Sequence, residues 1–202
     1  LPKYRGGAPI HQAIIDGQAT TGVTIMYMAE KLDAGDIISQ REIVIEDTDH
    51  TGLLFDKLSE VGKNLLKDTL PSIINGTNER IVQDETQVTY ASNISREQER
   101  IDWSKEARTI YNQVRGLHPW PVAYTTFEDA TFKIWWAQVG DLATSAQAGE
   151  VILIEKDFFE VATGDGGSLR ILDCQPAGKK RMTAEEFLRG TGSKLKIGDR
   201  FQ

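Results

Sequence analysis

Gly22-Val23-Thr24-Ile25-Met26-Tyr27-Met28 is the stretch on which the fold turns. A glycine followed by β-branched, aromatic and long apolar residues reads as a buried β-strand. Its flanks set the class. Upstream, Pro9 suits the first turn of a helix, Ile10, Ala13 and Ile14 share one helical face, and Gly17 ends the element. Downstream, residues 29–36 form a loop with three carboxylates and Gly35, and residues 37–45 read as a second strand. A long helix over 52–75 follows, capped by Thr48 or Thr51, with Leu54, Leu58, Val61, Leu65 and Leu66 at helical spacing. Pro71 is expected to kink that helix or end it early, and Gly76 closes it. Residues 1–76 are therefore an α/β piece. It offers only two or three strands and opens on a helix, whereas a doubly wound sheet begins with a strand. So short a piece buries a marginal core. It reads as the C-terminal part of a larger Rossmann-like domain.

Residues 77–95 lack a clean period and read as a linker. Ser104 is expected to cap a second helix carrying Ala107, Ile110, Val114 and Leu117 on one face. His118-Pro119-Trp120-Pro121 stops it, with His118 anchoring the helix end. Five strand candidates follow, at 124–127, 131–139, 149–155, 158–163 and 169–175. Asp129-Ala130 and Gly164-Asp-Gly-Gly167 turn between them, and Thr183-Ala-Glu-Glu186 is a capping box that opens a last helix. Short strands at this density predict a small OB-like β-barrel over 96–202.

The bulk properties narrow the function classes. Of the 202 residues, 40% are hydrophobic and 26% charged, as in a soluble globular protein, and no apolar run approaches the ~20 residues that span a bilayer. A single cysteine, Cys174, excludes an internal disulfide framework and a cysteine-based metal cluster, which suits a reducing cytoplasm. It sits in an alternating apolar stretch, as buried filler does. His11, His50 and His118 share no metal-ligand spacing. The net charge of −7 is uneven: residues 168–202 hold 8 Lys and Arg against 4 Asp and Glu. That island reads either as a solvated face or as a phosphate-binding patch. Gly6-Gly7 lacks the context of a nucleotide-binding glycine loop. Arg5 is an anion contact or an ion-pair partner for the acidic loop.

Several segments carry a resemblance. They are Leu1-Pro-Lys-Tyr-Arg-Gly-Gly-Ala-Pro9, Thr21-Gly-Val-Thr-Ile-Met26, Leu32-Asp-Ala-Gly-Asp36, Asp84-Glu-Thr86, Val88-Thr-Tyr-Ala91, Arg100-Ile-Asp-Trp103, Pro119-Trp-Pro121, Ala162-Thr-Gly-Asp165 and Gln175-Pro-Ala-Gly-Lys-Lys180. In that order they resemble the folate-dependent formyltransferases, and within them the bacterial branch that formylates the methionine of initiator tRNA. The resemblance implies 10-formyltetrahydrofolate as formyl donor, initiator methionyl-tRNA as acceptor, no metal, and a monomer in the cytoplasm. It implies that Asp33, the first aspartate of Leu-Asp-x-Gly-Asp, is the catalytic carboxylate and that Asp36 supports it. From the residues alone, the two aspartates are barely distinguishable from turn aspartates. Leu1 and Pro2 match the end of a folate-contacting segment. The family's catalytic Asn and His precede that match, so this polypeptide alone is expected to be inactive. On the C-terminal domain, Arg170, Lys179, Lys180, Arg181, Lys194 and Lys196 are the expected tRNA contacts. Adjacent strand residues point to opposite faces, so at most one of Trp135 and Trp136 is free to stack on a base. Two other functions fit the same segments: formylation of an amino sugar on a nucleotide, and a non-catalytic RNA-binding module.

Overall fold

Helix α1, Pro9–Ile15, opens with its proline at the first position and lays Ala13 and Ile14 into the interior. Gly17 follows it with φ +68°, the left-handed turn that glycine permits. Strands β1, Thr20–Met26, and β2, Ile37–Val44, pair antiparallel, with Val23 opposite Arg41 and Thr24 opposite Gln40. The structure, a computed structural model, describes residues 1–202, in two compact units, Leu1–Ile94 and Ser95–Gln202. β1 was expected to be a buried strand reaching Met28. It is half-buried and stops at Met26, because Tyr27 N–H turns to the Asp36 carbonyl at 3.0 Å and closes the loop between the strands.

Helix α2, Thr51–Ile74, packs on both strands and on α1. Leu54 and Leu58 join Ala13, Ile14 and Ile45 in one buried cluster, with Tyr4, Ile10, Val23 and Ile43 against it. Three details differ from expectation. The helix is capped by His50, whose Nδ1 accepts from Leu53 N–H at 3.2 Å, and not by Thr48 or Thr51. Leu66 is 46% exposed, because the inward stripe runs through Leu65 and Thr69. Pro71 lies inside the helix without ending it. It falls in the last turn, where both it and Lys67 are exposed, so the carbonyl it strands is open to water.

The stretch after Gly76 carries one regular turn, a 3-10 helix at Glu85–Gln87, but it is not loose. Ile81 exchanges two backbone bonds with Ile37, Gln83 is 5% exposed, and Arg5 is bridged to Tyr90 through Thr89 and Ala91. This expected linker is a strap bonded to the first unit.

The second unit starts with α3, Arg96–Glu99, a short helix with a Ser95/Gln98 capping box, and α4, Ala107–Gly116. Ser104 does not cap α4; its hydroxyl bonds Asp102 at 2.6 Å. The Ala107 N–H is taken instead by the Asp165 carboxylate. Six strands follow: β3 Ala123–Phe127, β4 Ala130–Val139, β5 Val151–Ile154, β6 Phe159–Ala162, β7 Ser168–Pro176 and β8 Met182–Thr183. Their order is β3-β4-β7-β6-β5, with β8 beside β7. All five expected strands are present, and the sixth was too short to see in the pattern. β3 and β4 turn through Glu128 and Asp129, both at positive φ, one residue before the expected turn. The sheet path is open, since β3 and β5 are not paired with each other. The last residues are bonded to both ends. Thr126 and Gln202 exchange two backbone bonds, and Phe201 N–H reaches Gly149 O at 2.8 Å. Helix α5, Ala184–Arg189, opens on the expected Thr183/Glu186 capping box.

Phe132, Phe159, Phe187 and Phe201 meet in the centre of this unit, with ring centroids 5.2 to 5.9 Å apart. Cys174 is fully buried, and burial pushes its thiol up to about 12. The two tryptophans correct the expectation of opposite faces. The register slips between Ile134 and Trp136, and this bulge turns both rings toward His118, at 6.0 and 5.4 Å.

Candidate active site

The loop between β1 and β2 carries Asp33 with φ +54°, a left-handed backbone that aspartate tolerates better than most residues. Gly35 behind it touches the strand end so closely that a Cβ there would lie 1.7 Å from the Tyr27 carbonyl. Only glycine fits, which is why a small residue follows the aspartate. Asp36 points elsewhere: its carboxylate takes Arg80 Nε at 2.7 Å, and the Arg80 guanidinium lies 4.4 Å over the Tyr27 ring. The two aspartates thus separate into one committed to an ion pair and one, Asp33, that is not.

Asp33 Oδ2 accepts the backbone N–H of Gly6 at 2.8 Å. Gly6 has φ +130°, and a Cβ on it would sit 2.5 Å from the Ala91 carbonyl. The Asp33 side chain is half-buried, and its second oxygen makes no hydrogen bond within the chain. The Leu1 backbone lies near Asp33, and its carbonyl accepts from Gln40 Nε2 at 2.8 Å. Leu1 and Pro2 are half-buried beside this loop. A carboxylate with one oxygen fixed and the other open is suited to accept or relay a proton.

Arg5 is an ion-pair partner, but of Glu85 on the strap and not of the loop at 29–36. It is 2% exposed, and its Nη2 donates to Gln83 Oε1 at 2.8 Å and to Glu85 Oε1 at 2.9 Å. The hydrogen bond from Arg5 holds the Glu85 carboxyl below its usual range. Gln83 in turn donates to the carbonyls of Asp33 and Gly35, at 2.8 and 2.7 Å. Sequence reasoning missed Gln83 and the Gly6 amide. The available signal was an uncharged amide beside Asp84-Glu-Thr86 in a stretch otherwise rich in exposed polar residues.

The basic residues of the second unit divide. Lys179 and Lys180 are exposed in the turn between β7 and β8, and Lys194 and Lys196 are exposed after α5. Arg170 starts near the other end of β7. It is engaged by buried Glu160 at 2.9 Å and by Asp141 at 3.3 Å. Arg181 pairs with Asp173 and lies 4.7 Å over the Trp135 ring. No three His, Cys, Asp or Glu side chains come together as metal donors. No helix is long and apolar enough to cross a membrane.

A mixed α/β first unit with a Leu-Asp-x-Gly-Asp loop, joined to a second unit built on an antiparallel sheet, defines a class. Residues 1–70 match the formyl transferase family, and residues 93–192 match the formyl transferase C-terminal domain. The chain belongs to the formyl transferase family. Among its relatives, a methionyl-tRNA formyltransferase of Lysinibacillus sphaericus is 75% identical over all 202 residues, and one of Halalkalibacterium halodurans is 58% identical over 98% of the chain. The chain spans 64% and 62% of the length of these two proteins. A solved structure of HypX from Aquifex aeolicus in complex with tetrahydrofolic acid shares the fold. It has a TM-score of 0.74 at 19% identity, over 98% of this chain and 35% of that one.

Proposed function

We propose that this polypeptide serves the transfer of a formyl group from 10-formyltetrahydrofolate to the amino group of methionyl initiator tRNA. The observation that carries this reading is the 75% identity with a methionyl-tRNA formyltransferase along the whole chain. In the reaction the neutral amine attacks the formyl carbon, a C–N bond forms, and the bond from that carbon to the folate nitrogen breaks. The amine loses a proton on the way, and the folate nitrogen gains one. Asp33 is the residue proposed to take or relay that proton, through the oxygen that Gly6 does not hold. Leu1 and Pro2 are proposed to line the folate side of the loop.

The second unit is proposed to be a small OB-like barrel that lies along the tRNA. The tail bonded to both β3 and β5 supports closure of the sheet by the C-terminal residues. Phosphate contacts fall to Lys179, Lys180, Lys194 and Lys196, which are exposed. Arg170 and Arg181, held by carboxylates, set the ends of β7 and support the patch. The protein is proposed to work in the cytoplasm, as a monomer and without a metal.

The test is formyl incorporation by the full-length protein, offered labelled 10-formyltetrahydrofolate with methionyl-tRNA, and separately with a nucleotide amino sugar. Label in methionyl-tRNA alone is the expected result. Label in the amino sugar alone overturns the reading, as does tRNA binding without any transfer.

A further inference from the structure

We infer that Gln83 is a positioning residue for Asp33, holding the backbone of the carboxylate loop from a segment fifty residues further along the chain. The inference rests on the proposed role of Asp33 in proton transfer.

A primary amide buried without partners costs free energy, so a buried glutamine has to be satisfied. Gln83 is satisfied at both ends. Both donor bonds go to the Asp33 loop, to the carbonyls that flank Ala34. Its oxygen accepts Arg5 Nε at 3.2 Å and Nη2 at 2.8 Å. Arg5 adjoins Gly6, and Gly6 holds the Asp33 carboxylate. The contacts close a ring: Asp33 carboxylate, Gly6 amide, Arg5 guanidinium, Gln83 amide, Asp33 carbonyl. Side chain and backbone of one residue are fixed from the two ends of the same ring.

The ring has something to hold. A non-glycine residue at φ +54° sits in a sparsely populated region and stays there only while its surroundings over-determine it. Without Gln83 the loop keeps the Tyr27 to Asp36 bond at its base, the Ala34 to Lys31 bond and the Gly6 bond to the carboxylate, but loses the two bonds that hold the backbone carbonyls of Asp33 and Gly35. The carboxylate would then move relative to a substrate bound elsewhere. Misplacement of a catalytic group affects the chemical step more than binding.

The experiment uses the full-length protein and methionyl-tRNA formylation. Gln83→Glu keeps an acceptor for Arg5 but offers no donor to the two loop carbonyls. Gln83→Leu removes all four bonds and serves if the first variant folds poorly. Val82→Ala, next to Gln83 but with a side chain 76% exposed, is the control. Hydrogen exchange over residues 27–37 reports the loop independently of activity, and Asp33→Asn reports the underlying reading. The expected result is a kcat lowered on the order of 10- to 100-fold in the Gln83 variants. Both KM values should stay within about twofold, the signature of a lost transition-state contact. Exchange in the loop rises, and Val82→Ala behaves as the parent. An unchanged kcat in a folded Gln83 variant, with Asp33→Asn inactive, overturns the role of Gln83 and leaves the function standing. Equal losses in kcat and folding, with KM altered, reduce Gln83 to a structural residue and also overturn it. An active Asp33→Asn overturns the reading of Asp33 and the role built on it.

Discussion

The largest fully buried side chain of the first unit is an arginine, Arg5, whereas the second unit is centred on Phe159 and Phe201. Arg5 is buried because every direction it faces offers an acceptor, Gln83 and Glu85 on the strap. The phenylalanines are buried because sheet, tail and α5 close on them. These are different uses of an interior. A polar ring orients, since its bonds have directions and fail one by one. An apolar cluster stabilises, since its contribution follows the area removed from water, with little regard to direction. The first unit thus buries a polar ring in addition to the apolar cluster of Leu54 and Leu58, whereas the second unit is centred on aromatic rings.

The sharpest break of that contrast is Phe201→Ala. Phe201 is 2% exposed and meets four aromatic rings, so its loss should destabilise the second unit by about 3–5 kcal/mol. Thermal unfolding of the variant reads this, and hydrogen exchange at residues 27–37 should stay as in the parent. Next comes the exposed patch. Replacing Lys179 and Lys180 by alanine should weaken tRNA binding and lower the salt slope by about 2, one per phosphate contact. Unchanged binding at every salt concentration would make the patch a solvated face. The smallest effect is expected at the start of α4. Asp165→Ala removes the carboxylate on Ala107 N–H and should cost about 1 kcal/mol. The Thr163 hydroxyl, with the Gly167 and Ala107 amides, holds the Asp165 carboxyl below its ordinary 3.8. A depressed carboxyl contributes stability that is fully present above 3.8 and is lost as the pH falls through the lower, folded value. The variant should lose stability less steeply than the parent in that acid window. Urea titrations between neutral pH and that window measure the difference.

What could be read in the sequence follows the same division. Elements that bury an apolar face were legible: α1 from Pro9, Ile10 and Ile14, α2 from Leu54 and Leu58, and the five longer strands from their alternation. Caps were legible where the pattern was local and complete, as at Thr183 and Glu186. They failed at His50, because histidine is not a usual cap, and at Ser104, because the true partner, Asp165, lies 58 residues away. The tryptophan pair failed because a bulge is a register event with no side-chain signature. In the site, Leu-Asp-x-Gly-Asp drew attention to Asp33 through family likeness, while the physics that separates it from Asp36 is an ion pair to Arg80 across 44 residues. Gln83 was invisible for the same reason. Its neighbours suggest a polar connection, and only the three-dimensional return of the strap to Arg5 gives it partners.

The most direct measurement compares the rate of formyl transfer to methionyl-tRNA with the thermal midpoint, in the full-length protein and its Asp33→Asn variant. The rate should fall by about 10²- to 10⁴-fold, the range for loss of a proton-transferring group. The midpoint should move by less than about 4 °C, the equivalent of under ~1 kcal/mol in a domain of this size. A variant that keeps its rate, or one whose rate falls only as far as its folded fraction does, would contradict the account.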